Sequence, residues 1–203
     1  MGFWNSLSRQ LSDPSGFGGK LVARGMNRGN ADINTRALEH LALVDDSRVL
    51  EVGFGGGATL PKLLAVAAHV TGFDRADDMV AAAKRRHADE IAAGRLRLDA
   101  GDIYELPYDD EAFDRVLTVN TVYFWPDLHG ALEEIRRVMA PDSELVIGIR
   151  DPSVMQKVDR SIFTVREPVE VQAAAEAAGF SDVKLYSPPG TRYHLIIGSV
   201  SGA

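Results

Sequence analysis

The run Glu51-Val52-Gly53-Phe54-Gly55-Gly56-Gly57-Ala58 constrains this chain more than any other stretch. Four glycines fall within five positions, between the apolar run Val49-Leu50-Glu51-Val52 and a helix-like segment from Ala58 to Ala68. Every glycine ordered on folding costs conformational entropy, so a plain tight turn is a poor reason for four of them. Glycines at a strand-to-helix junction let the backbone pass close to a ligand and leave helix N–H groups pointing at it. Such a junction predicts an α/β domain whose ligand lies beyond the carboxyl ends of its strands.

The pattern downstream agrees. Residues 69–74, 95–100, 113–120 and 145–149 read as strands, 113–120 almost wholly apolar as a central parallel strand should be. Between them a helix is expected over 76–93, stopped by Gly94, and another from Asp127, whose inner face is Leu128, Ala131, Leu132, Ile135, Val138 and Met139. Pro168 fits the first turn of a last helix ending at Gly179. Strands alternating with helices predict a doubly wound, Rossmann-like sheet. Val183 to Tyr186 and Tyr193 to Val200, joined through Pro188-Pro189-Gly190, add an antiparallel pair. Upstream, Phe3, Leu7 and Leu11 share a helical face, a second short helix is expected over 18–27, and Asn30 stands at an N-cap position with Asp32 in the first turn. The expected organisation is one domain over 1–203, with 1–45 an N-terminal helical cap or lid and 46–203 the core.

Composition narrows the partners. The absence of cysteine among 203 residues excludes disulfides, thiolate metal sites and cysteine nucleophiles. The net charge is −7 and no basic stripe is visible; Lys84-Arg85-Arg86 reads as the solvated side of a helix. Nucleic acid is therefore not an expected partner. Met1 to Gln10 lack the basic start and apolar run of a secretory leader, and no apolar stretch approaches the roughly 18 residues of a membrane span. The expectation is a cytoplasmic monomer or homodimer. No clustered carboxylate or histidine spacing marks a metal site.

Two ligands compete for the glycine loop. Gly53, Gly55 and Ala58 satisfy the dinucleotide pattern, and Asp74 lies at a suitable distance to hold a ribose. Glu51, however, sits two positions before the first glycine, where a diphosphate would be repelled and a cationic ammonium or sulfonium favoured. Asp102, after the third strand, is placed to accept from an adenine amino group. Only about 130 residues follow Asp74, with no second mononucleotide half in sight.

Over roughly residues 45 to 150 the chain resembles the class I S-adenosylmethionine (SAM)-dependent methyltransferases, in the ubiquinone/menaquinone-biosynthesis-like branch called type 11. Carrying the resemblance are Val49 to Gly57, Gly72-Phe73-Asp74, Gly101-Asp102-Ile103 with Leu106-Pro107-Tyr108, Phe113 to Val116, Asn120 to Asp127 and Glu134 to Val138. It implies a seven-stranded sheet with an antiparallel last strand. It also implies SAM as cofactor, held by Glu51, Gly53, Gly55, Gly57, Asp74, Arg75, Asp102, Ile103 and Asn120. Pro141-Asp142-Ser143 departs from the Pro-Gly-Gly common in relatives, and Tyr123 and Phe124 stand where histidines are frequent.

Methyl transfer from a sulfonium is an in-line displacement, so alignment of the reactants can do much of the work. A base is needed only if the acceptor must lose a proton. Tyr123 and His194 are the candidate catalytic groups. Met26, Asn27, Tyr123, Trp125, Arg150 and Phe163 are candidates for contact with a small-molecule methyl acceptor, a hydroxyl being preferred. A nicotinamide-dependent oxidoreductase and a non-catalytic SAM-binding protein remain alternatives.

Overall fold

In the computed structural model, residues 30–156 and 158–202 are described. The helices expected over 3–11 and 18–27 lie outside them. Seven strands form one sheet: β1 (Arg48–Val52), β2 (His69–Asp74), β3 (Leu96–Ala100), β4 (Phe113–Val119), β5 (Met139–Arg150), β6 (Ser181–Tyr186) and β7 (Tyr193–Val200). Their order is β3-β2-β1-β4-β5-β7-β6. The first five are parallel, and β7 runs antiparallel between β5 and β6. The doubly wound sheet and its closing antiparallel pair are thus as the sequence predicts.

Among the described residues, six α-helices cover the two faces: α1 (Ala31–His40), α2 (Leu60–Leu64), α3 (Asp77–Arg86), α4 (Ala88–Ala92), α5 (Leu128–Arg137) and α6 (Pro168–Ala177). Residues of β1 alternate between two cores. Leu50 and Val52 pack with Leu132 and Ile135 of α5 and with Val171 and Ala175 of α6. Val49 packs with Ile33 of α1, Leu60 and Leu63 of α2 and Val80 of α3. Burial on both faces is what makes β1 and β4 read as apolar runs.

Local chemistry fixes several boundaries. The Asp127 carboxylate caps α5 by accepting from the Gly130 N–H at 3.0 Å. Pro168 opens α6 behind a reciprocal cap between Glu167 and Glu170. Elsewhere the expectations need correction. The helix expected over 76–93 is two helices, because the backbone at His87 (φ −114°, ψ 31°) leaves the helical region. Strand β5 begins at Met139, not Leu145, and runs through Pro141-Asp142-Ser143. Its pairing jumps from Phe113↔Met139 to Arg115↔Glu144, so an irregularity absorbs residues expected to form a surface turn. Asn30 precedes α1 without a side-chain capping bond; its Oδ1 instead accepts from the Arg150 guanidinium at 2.8 Å. No helix among the described residues is long and apolar enough to cross a membrane.

Candidate active site

At the carboxyl ends of β1, β2 and β4 lies a cavity of about 500 Å³, within the range of small-molecule sites. Its floor is the glycine loop. Gly53, Gly55 and Gly57 all have positive φ (74°, 51° and 69°), which explains the residue type there. The Gly53 N–H donates to the Phe73 carbonyl at 2.6 Å, and the Gly57 N–H to the Phe54 carbonyl at 2.8 Å. At Gly53 a Cβ would stand 2.1 Å from Thr121 Cγ2, so the β1 turn and the segment after β4 approach too closely for any side chain.

Two buried carboxylates flank the loop. The Glu51 side chain accepts from the Thr59 hydroxyl through Oε1, while its Oε2 is buried without a partner. Burial pushes the Glu51 carboxyl up to about 7; the Thr59 bond opposes the shift and the Asp74 charge adds to it. Asp74, at the end of β2, accepts from the Gly55 N–H at 2.7 Å and the Ala76 N–H at 3.0 Å. Burial raises its pKa, and those two backbone bonds counter the rise.

The far wall is made by residues after β3 and β4. Asp102 Oδ1 accepts from the Tyr104 N–H at 3.2 Å. Ile103, Tyr104, Val119, Asn120, Thr121, Phe124, Trp125 and Pro126 complete that side, and Asn30 and Asn34 border it from the α1 end.

Of the expected site residues, Glu51, Gly53, Gly55, Asp74, Arg75, Asp102, Ile103, Asn120 and Trp125 line this one cavity. Gly57 lies behind the wall, where Gly56 and Ala58 take its place. Met26 and Asn27 are outside the described residues. Four others are not on the cavity wall. The Tyr123 side chain is buried; its hydroxyl receives the Arg150 backbone N–H and donates to Asn120 Oδ1 at 3.3 Å. Burial raises its phenol pKa above the ordinary tyrosine value. His194 is held between Ser187 Oγ at 2.7 Å and Asp151 Oδ2 at 3.0 Å. The Arg150 guanidinium is turned to Asn30, and Phe163 packs against Phe124 with ring centroids 4.8 Å apart.

Sequence reasoning missed Thr59, whose hydroxyl meets Glu51, and the Thr118–Thr121 hydroxyl pair beneath Gly53. Arg86 is exposed, as the sequence predicts, but its bond to the loop was not foreseen. Arg86 Nη1 donates to the Gly56 carbonyl at 2.9 Å, holding the loop from outside. Arg86 lies 30 residues from Gly56, and only the wrap of α3 against the loop joins them.

A family model described as "Methyltransferase domain" matches residues 50–147, the stretch that builds this cavity. The uncharacterized methyltransferase YdaC of Bacillus subtilis is 25% identical over 158 residues, covering 77% of this chain and 83% of that protein. The fatty-acid O-methyltransferase of Mycolicibacterium smegmatis is 38% identical over 100 residues, 48% of this chain and 35% of that protein. Further curated relatives include both O-methyltransferases and sterol C-methyltransferases, and this chain spans about half or less of their length. A SAM-dependent methyltransferase of Aquifex aeolicus has the same fold, with a TM-score of 0.72, 21% identity and coverage of 96% of this chain and 97% of that one. The glycine loop, the strand order and this match agree that residues 50–147 are a methyltransferase domain, on the fold of SAM-dependent methyltransferases.

Proposed function

We propose that this protein transfers the methyl group of SAM to an oxygen atom of a small acceptor with an apolar body. The observation that carries the reading is the buried, partnerless Oε2 of Glu51 beside the glycine loop. A carboxylate with a free oxygen in a poorly hydrated wall suits a cationic ligand and repels a diphosphate. This observation disfavours the nicotinamide alternative.

In this reading Glu51 accepts from the ammonium of the methionine moiety, and the backbone of Gly53 and Gly55 lies along it, with Gly57 fixing the loop behind. The Asp74 oxygens, each using one acceptor site on a backbone N–H, keep capacity for the ribose hydroxyls. Asp102 faces the adenine amino group, Ile103 packs on the ring, and Arg75 borders the ribose edge. Bound SAM supplies an activated methyl group on a sulfonium. The contribution of the chain is then alignment and exclusion of water, for which proximity and orientation are worth about 7–11 kcal/mol in favourable cases.

Phe124, Trp125, Pro126 and Val119 give the acceptor side an apolar wall. Oxygen as acceptor atom is supported by the O-methyltransferases among the relatives. Within a single domain, the α1 region sits at the acceptor end in this reading, because Asn30 and Asn34 border the cavity there. Incubation with carbon-13-methyl SAM and a panel of apolar metabolites tests the reading. A transferred methyl with the chemical shift of an O–CH3 group is expected. Products carrying only C–CH3 or N–CH3 signals would refute oxygen as the acceptor atom.

A further inference from the structure

A directional hydrogen-bond relay runs from β5 to the cavity wall. The backbone N–H of Arg150 donates to the Tyr123 hydroxyl. A backbone N–H can only donate, so the phenol accepts there and keeps its own proton for a second partner. That partner is Asn120 Oδ1, 3.3 Å away. With its oxygen held from behind, the Asn120 carboxamide has only donors left to offer on its other side. Its backbone is fixed as well. Asn120 has φ of 59°, a left-handed conformation that asparagine tolerates, and its N–H donates to the Gly148 carbonyl at 2.8 Å. Asn120 lines the cavity beside Val119, Phe124 and Trp125.

That wall lacks a base suited to an alcohol. The titratable side chains lining the cavity, among the described residues, are Glu51, Asp74, Arg75, Asp102 and Tyr104. The three acids belong to the cofactor end in the reading above, and the Tyr104 hydroxyl accepts the Asp127 N–H at 3.0 Å. Tyr123 is behind the wall, with its hydroxyl engaged on both sides. Residues 1–29 contain no histidine, cysteine, tyrosine or glutamate, their titratable side chains other than arginine being Asp13 and Lys20.

We propose that the acceptor is a carboxylic acid on an apolar body, bound already ionised, and that the Asn120 N–H donors orient its carboxylate. Tyr123 is the positioning residue that fixes which end of the Asn120 amide faces the acceptor. This rests on the cavity being the SAM and acceptor site. A lone pair of the carboxylate oxygen forms the new O–CH3 bond. The S–CH3 bond breaks with its electron pair staying on sulfur, leaving a neutral ester and a neutral thioether. No proton changes hands, so no general base is required. An aliphatic alcohol would have to lose a proton, and an alkylamine, cationic at neutral pH, would meet the donor end of the amide.

The test uses the whole protein with SAM and three matched probes, decanoate, decan-1-ol and decylamine, from about pH 6 to about pH 9, where the acid stays ionised. With SAM saturating at every pH, methyl decanoate is expected, with kcat/KM for the acceptor flat across the range, and no product from the alcohol or amine. Asn120→Asp sets an anion against the carboxylate. It should lower kcat/KM for decanoate, read at saturating SAM, by about 10- to 100-fold, the scale of a lost charge-assisted hydrogen bond. Tyr123→Phe should raise the decanoate KM about tenfold with kcat and the pH profile kept, because it frees the amide to turn without removing it. Methylation of the alcohol or amine with decanoate untouched, a rate that rises with pH, or silence of all three probes on a protein that binds SAM overturns the proposal. An abolished kcat in Tyr123→Phe would make the phenol catalytic and overturn it too. A wild-type protein that does not bind SAM by calorimetry overturns the cofactor reading along with it.

Discussion

Replacing Gly53 by alanine should cost more than the same change two residues later, and Thr121 is the reason. Gly53 has φ of 74° and Gly55 φ of 51°, so a side chain at either is strained by about 1–2 kcal/mol. At Gly55 nothing lies within 4 Å of the added carbon. At Gly53 the new Cβ falls 2.1 Å from Thr121 Cγ2 and 3.2 Å from Thr121 Cβ. Thr121 is 8% exposed and its hydroxyl is paired with that of Thr118, so it cannot swing aside freely. Overpacking of this kind costs about 1–3 kcal/mol. Gly53→Ala should therefore lose about 2–5 kcal/mol, a large part of the 5–15 kcal/mol typical of a domain. Thr121→Ser deletes the clashing methyl and keeps the hydroxyl. The double variant Gly53→Ala/Thr121→Ser should recover about 1–3 kcal/mol, leaving mainly the backbone strain. Urea unfolding of the four proteins in this cycle, with Gly55→Ala alongside, gives each value. Equal stability of the Gly53 and Gly55 variants, or no recovery on adding Thr121→Ser, would refute the packing argument.

Glu51 should make the ligand-free protein pH-sensitive. Its folded pKa near 7 exceeds the ordinary 4.5, so the folded state binds the extra proton between those values. Stability should then fall by about 3 kcal/mol as pH rises from about 4.5 to about 7 and level off above. Glu51→Gln should flatten that slope in thermal unfolding. In the wild type, SAM affinity should rise about tenfold between about pH 6 and about pH 8, with proton release on binding visible in buffers of different ionisation enthalpy. A slope unchanged in Glu51→Gln would remove Glu51 from the effect. Asp74→Ala should weaken SAM by about 1.5–3 kcal/mol in a folded protein, and Asp102→Asn should weaken it less than Asp102→Ala, because an amide oxygen still accepts; calorimetric titration reads both. His194→Gln should leave kcat within about threefold, since the ring is bound to Ser187 and Asp151 away from the cavity; loss of turnover in a folded variant would return His194 to the chemistry.

The parts of the fold legible in the sequence are those fixed by local pattern. Strands β2 and β7 fall where alternation and turn residues put them, and the cap at Asp127 and the proline at 168 act through neighbours three or four positions away. The glycine loop is legible because positive φ demands its residue type. What stayed hidden depends on contacts distant along the chain. The Arg86 bond to Gly56, the His194 bond to Asp151 and the relay from Arg150 through Tyr123 to Asn120 join segments 27 to 43 residues apart. No periodicity encodes them. Strand β5 reads as short because Pro141 and Asp142 look like a turn, whereas an irregularity against β4 lets the strand pass through them. Tyr123 drew notice as a polar aromatic after β4; its burial, which turns the hydroxyl away from the cavity wall, follows from the one-turn helix Val122–Phe124.

The central claim is that the cavity floored by Gly53 and Gly55, between Glu51 and Asp74, holds SAM. Calorimetric titration of the wild-type protein with SAM and, separately, with NADH tests it most directly, with Asp74→Ala as the site control. The account predicts one SAM bound per chain, a Kd raised by about 10- to 100-fold in Asp74→Ala, and no heat from NADH. Saturable NADH binding with SAM silent, or SAM binding indifferent to Asp74→Ala, would contradict it.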